Sequence, residues 1–125
     1  MIQHHILLVD DEPYVVRVLR LSLEREGYDV ATAIDGHDAL SKLAKRCPDV
    51  LITDINMNGM DGRTLCPLAR KMYPDSSFLI LIMTSLTALD ERSWVRQVSN
   101  AEFLEKPLSP RQLVARLARH FTSAS

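Results

Sequence analysis

Leu51-Ile52-Thr53-Asp54-Ile55-Asn56-Met57-Asn58-Gly59-Met60-Asp61-Gly62 is the stretch whose reading decides the fold. Val50-Leu51-Ile52 is a short apolar run, as a strand buried on both faces of a parallel sheet requires, and it ends in the carboxylate of Asp54. The crowding of Asn56, Asn58, Gly59, Asp61 and Gly62 behind it suits neither strand nor helix, so an irregular loop follows. In open parallel α/β sheets ligands bind outside the carboxyl ends of the strands. Asp54 stands at such an end, held from below and exposed above.

The same strand-then-acid pattern recurs towards the N-terminus. Ile6-Leu7-Leu8-Val9 runs into Asp10-Asp11-Glu12-Pro13, with Pro13 suited to the first turn of a helix and the acids suited to its positive end. Val15, Leu19 and Leu23 then recur at helical spacing until Gly27. Asp29 to Ala33 is a weakly apolar strand that fits a sheet edge, and Gly36 to Cys47 is a helix stopped before Pro48. Beyond the central loop, Arg63 to Tyr73 carries Leu65, Leu68, Ala69 and Met72 at helical spacing. Pro67 is tolerable only in a first turn, which predicts a start near Thr64. Phe78 to Met83 is the longest apolar run, a buried strand ending at Thr84-Ser85. Ala88 to Val98 is expected as the loosest helix, with Leu89, Trp94, Val95 and Val98 inward. Ala101 to Glu105 is the last strand, running into Lys106-Pro107. Ser109-Pro110 opens a last helix with Leu113, Leu117 and Phe121 buried, and 122–125 is a frayed end or linker stub.

Strand and helix alternating five times imply a single α/β domain with a parallel sheet, helices on both faces and right-handed crossovers. A chain of 125 residues leaves no room for a second domain. With 25% charged residues and a net charge of -1, the composition carries no nucleic-acid footprint. The N-terminus does not read as a signal peptide and no apolar run approaches a membrane span, so the expected compartment is the cytoplasm. Cys47 and Cys66 lack metal or redox spacing and read as core thiols. His4 and His5 are neighbours on a strand and point to opposite faces, which argues against a shared metal.

Asp10, Asp11, Asp54, Thr84 and Lys106 all fall at strand ends, and in a parallel sheet those ends share one edge. Three carboxylates in one crevice repel one another, and a divalent cation relieves the conflict. Oxygen-only ligands favour Mg²⁺ or Mn²⁺, which take one or two carboxylates together with phosphate oxygens. Asp10 or Asp61 alone would read as a helix cap and Lys106 alone as a solvated lysine; the five together point to phosphoryl transfer.

These residues, with Met57, Met60-Asp61-Gly62 and Phe103-Leu104-Glu105-Lys106-Pro107, closely resemble the receiver domain of two-component response regulators over residues 5 to 121, at that family's spacing. The resemblance implies a three-layer (βα)5 flavodoxin-like sandwich with a five-stranded sheet of order 2-1-3-4-5. It implies that Asp54 accepts a phosphoryl group from a sensor histidine kinase or phosphotransfer protein. By the same resemblance Asp10, Asp11, Asp54 and the backbone carbonyl of Asn56 hold Mg²⁺, or Mn²⁺. Lys106 and Thr84 contact the phosphoryl group, and Thr84 with Phe103 forms a switch altering the face of fourth helix, last strand and last helix. That face would serve a downstream effector, an output domain or a homodimer. Such a chain is not an enzyme beyond its own aspartyl phosphorylation and dephosphorylation. The Lys106-Pro107 bond is expected to be cis.

Departures are few. Asn58 replaces a usual proline, Ser99-Asn100 stands where Ala-Gly is common, Phe103 lacks a tyrosine hydroxyl, and Leu86 stands where the family tunes dephosphorylation, expected here to shield the phosphoryl group from water. Two other readings compete. A phosphorylation-independent interaction module would lack an active-site residue, and none is missing. An aspartate-nucleophile phosphatase needs an Asp-x-Asp motif, which is absent.

Overall fold

In a computed structural model the chain is described over residues 3–57, 59–84 and 98–123. Strand β1 (His5–Val9) leads into helix α1 (Pro13–Arg25), β2 (Asp29–Ala33), α2 (Gly36–Lys45), β3 (Val50–Asp54), α3 (Gly62–Met72), β4 (Leu79–Thr84), β5 (Ala101–Glu105) and α4 (Pro110–Ser123). All pairings are parallel, in the order β2-β1-β3-β4-β5. The helix expected over 88–98 lies outside the described residues except for Val98, as do Asn58, Leu86 and Trp94.

Strand period explains the layers, because alternate residues face opposite sides. Leu7, Val9, Leu51, Ile80 and Ile82 pack with Ala39 and Leu43 of α2 and Leu65, Cys66 and Ala69 of α3. Ile6, Leu8, Val50, Ile52, Leu79, Leu81 and Met83 pack on the other side with Leu19 and Leu23 of α1 and Leu113 and Leu117 of α4. Both edge strands, β2 and β5, are only partly buried, as the sparse apolar content of Asp29–Ala33 predicts for the first of them.

Helix boundaries differ from the sequence expectation in α2, α3 and α4, the last of which runs to Ser123, two residues into the expected frayed end. Helix α3 begins at Gly62, two residues before Thr64, so Pro67 lies inside the helix and not in its first turn. Asp61 explains the early start: its Oδ1 accepts the N–H groups of Arg63 at 2.9 Å and Thr64 at 3.3 Å, an N-cap strong enough to set the boundary. Pro67 is exposed, so the carbonyl it leaves unbonded one turn back can turn to water. Helix α2 stops at Lys45, because Arg46 is already extended (φ -160, ψ 133) ahead of the Cys47-Pro48 bond.

The connections carry the expected backbone chemistry. Asn100 takes a left-handed φ of 52, a conformation asparagine adopts more readily than other side-chain-bearing residues, and its Nδ2 donates to the Ser77 carbonyl at 2.6 Å. Arg70 of α3 stacks on Phe78 at 4.5 Å and donates to the carbonyls of Ser99 and Asn100, fixing the entry to β5. His4 and His5 diverge as predicted: His5 is buried with Nδ1 3.0 Å from Asp29, while His4 stacks on Phe121 at 3.7 Å. Cys66 is buried and Cys47 half-buried, both as free thiols, and burial pushes the Cys66 thiol up to about 12. Among the described residues no helix is long and apolar enough to cross a membrane.

Candidate functional site

Register brings the acids together. Val9 pairs with Thr53 across β1 and β3, so Asp10 and Asp54 emerge side by side at the carboxyl edge. The Asp10 N–H is tied to the Ala33 carbonyl at 3.1 Å and the Ile55 N–H to the Met83 carbonyl at 3.1 Å, which fixes the chain around both carboxylates. Asp10 is 1% exposed and Asp54 4%. Asp54 Oδ1 accepts the Asn56 N–H at 3.2 Å, folding the start of the loop back over the acid. Gly62 lets α3 approach this turn: a Cβ there would stand 2.9 Å from the Asp54 carbonyl oxygen.

Lys106 arrives from the other side. Thr84 pairs with Glu105, and the Lys106 N–H donates to the Thr84 carbonyl at 2.7 Å, so the lysine follows directly from the β4–β5 ladder. Its bond to Pro107 is cis. Nζ lies 2.5 Å from Asp54 Oδ2 and 3.9 Å from Asp10 Oδ2. Partial burial alone would lower the lysine's pKa, but the hydrogen bond and charge of Asp54, with Asp10 and Glu12, outweigh it and hold the ammonium above its ordinary range.

Asp10 is the electrostatically stressed member. Burial pushes its carboxyl up to about 6, with Asp54 and Glu12 adding to the rise and the Glu12 N–H and Lys106 opposing it. Its Oδ1 accepts the Glu12 N–H at 3.0 Å, whereas Oδ2 is buried with no hydrogen-bond partner. A buried, unsatisfied carboxylate oxygen is costly and calls for a cation. The carboxylates of Asp10, Asp11 and Glu12 each offer an oxygen within 4.8 Å of the others. This all-oxygen set fits a hard divalent ion.

The structure thus brings Asp10, Asp11, Asp54 and Lys106 to one crevice, with Thr84 buried beside it and Asn56 contributing its N–H. Phe103 is partly buried and pairs with Ile82, two residues before Thr84, so Thr84 and Phe103 lie on the same side of neighbouring strands. Glu12 was legible only as a helix-start acid; its convergence on the pair is spatial, although the unbroken run Asp10-Asp11-Glu12 was a usable signal. Beside Lys106 a cleft of about 440 Å³ is walled by Tyr14, Val18, Leu19, Met83, Pro107 and Leu108.

A doubly wound parallel sheet with buried acids and a lysine at its carboxyl edge defines a class, and comparison with known proteins narrows it to one family. The model of the response regulator receiver domain matches residues 6–118, and the chain belongs to that family, the receiver domains of two-component signalling. The chemotaxis protein CheY4 of Vibrio cholerae is 31% identical, covering 94% of this chain and 98% of its own, with a TM-score of 0.87. A receiver domain of a signal transduction histidine kinase from Syntrophus aciditrophicus is 25% identical over 96% of this chain and 91% of its own, with a TM-score of 0.83. NtrX from Brucella abortus is 26% identical with a TM-score of 0.84, and the match covers 98% of this chain but 28% of that longer one.

Proposed function

We propose that this receiver is phosphorylated on Asp54 by a histidine kinase or phosphotransfer protein, in the presence of Mg²⁺, and that the modification changes its partner-binding face. The observation that carries the reading is the crevice itself: a buried Asp54 held 2.5 Å from Lys106, beside an Asp10 whose inner oxygen has no hydrogen-bond partner.

Asp54 is the nucleophile. One of its oxygens forms the new O–P bond as the P–N bond of a phosphohistidine breaks and the electron pair returns to the imidazole. Burial strips water from the carboxylate, and the Asn56 N–H orients it. Lys106, already charged and already at Asp54, moves from a carboxylate oxygen to a phosphoryl oxygen as charge develops there. Asp10 and Asp11, with the carbonyl of Asn56 and Asp54 itself, would hold Mg²⁺, which neutralises phosphoryl charge when bound. The Thr84 hydroxyl would bond the attached group. Its shared side with Phe103 supports a coupled shift of the aromatic, driven by packing because Phe103 carries no hydroxyl.

Intact mass after incubation with acetyl phosphate and Mg²⁺ tests this, run on wild type and Asp54→Asn. The expected result is one added phosphoryl group on the wild type, absent with EDTA and absent in the variant. An adduct on both proteins would move the acceptor elsewhere; none on either would leave a phosphorylation-independent interaction module.

A further inference from the structure

Glu12 occupies the N-cap of α1 with an extended backbone (φ -97, ψ 107), yet its side chain makes no cap bond. The short Ser, Thr, Asp and Asn side chains cap a helix from this position, whereas glutamate is longer and reaches elsewhere. Here the side chain reaches an oxygen to within 4.8 Å of oxygens on both Asp10 and Asp11. The turn enforces the approach, because the Glu12 N–H is bonded to Asp10 Oδ1 at 3.0 Å. Three acids so placed repel one another, a conflict that a cation joining them relieves.

A second observation points into the same space. The Asp10 side chain is fully buried and its Oδ2 lacks a hydrogen-bond partner. Lys106 does not satisfy it: the ammonium lies 3.9 Å from that oxygen and is engaged by Asp54 at 2.5 Å. Among the described residues Lys106 is the base bonded to Asp54, and the three further acids hold an unsatisfied oxygen among them.

We propose that Glu12 is a third acidic determinant of the divalent-cation site, raising its affinity alongside Asp10 and Asp11; the inference rests on the metal-dependent reading above. Mg²⁺ dehydrates reluctantly and keeps several waters, so an exposed carboxylate at this range acts by accepting hydrogen bonds from the retained waters and by its charge. A helix-dipole role alone would alter stability without altering cation affinity.

The test is calorimetric titration of MgCl₂, and separately MnCl₂, into the full chain as wild type, Glu12→Gln and Asp11→Asn, with thermal unfolding in EDTA as the folding control. Glu12→Gln is expected to bind each ion roughly tenfold more weakly, in the range that partners behind a ligand shell command, and Asp11→Asn more weakly still. Equal affinity of Glu12→Gln and wild type, with Asp11→Asn impaired, overturns the role of Glu12 and leaves the metal site standing. Absence of binding by a folded wild type overturns both.

Discussion

Asp10→Asn should stabilise the metal-free protein while removing one of the proposed cation ligands. Asparagine has the shape of aspartate, can still accept the Glu12 N–H, and carries no charge into a site where the native side chain is fully buried. The gain follows from the pKa. Burial lifts Asp10 from 3.8 to about 6, and each pKa unit corresponds to about 1.4 kcal/mol, so the ionised carboxylate costs about 3 kcal/mol at pH 7. Because the folded state holds the proton more tightly, the contribution of Asp10 to stability falls as pH rises from 3.8 to about 6 and is level above. Urea unfolding in EDTA should show Asp10→Asn about 2–3 kcal/mol more stable at pH 7. That advantage shrinks as pH drops below about 6 and vanishes below 3.8. Saturating Mg²⁺ should stabilise the wild type more than the variant. A variant no more stable than wild type at pH 7, or an advantage independent of pH, would refute the reasoning.

Gly62→Ala forces a Cβ to 2.9 Å from the Asp54 carbonyl oxygen and 3.1 Å from the Ile55 Cα, backbone atoms that cannot rotate aside. A loss of about 1–3 kcal/mol in urea unfolding is expected, together with reduced phosphoryl uptake; an unchanged midpoint would show that α3 slides freely. Pro67→Ala restores an N–H inside α3 at an exposed position, offset by the added freedom of the unfolded chain. Thermal unfolding should register a net gain of about 1–2 kcal/mol, and a loss would mean that the ring packs.

Legibility in the sequence followed how local each signal was. The unbroken run from Leu79 to Met83 needed no context to read as a buried strand, and the sparse Asp29–Ala33 announced an edge. Asp10 and Asp54 were visible because each ends an apolar run. Their meeting with Lys106, 52 residues beyond Asp54, is tertiary, and the strand order came from family resemblance alone. Pro67 misled because proline propensity was weighed without the competing strength of the Asp61 cap, whose two backbone bonds set the boundary of α3. Glu12 escaped notice because an acid before Pro13 already had a sufficient local explanation. Neither the stress on Asp10 nor its unsatisfied oxygen could be read beforehand, since both arise from neighbours the chain assembles only on folding.

The pairing of Val9 with Thr53 has a consequence for how this protein fails. The same ladder that joins the two central strands sets the spacing of Asp10 and Asp54, and a slip of one residue would turn each strand's apolar set to the wrong helical layer. Small misalignments of the acids therefore have no low-energy intermediate to occupy. Damage deep in the core should lower the number of competent molecules and leave the competence of each survivor intact.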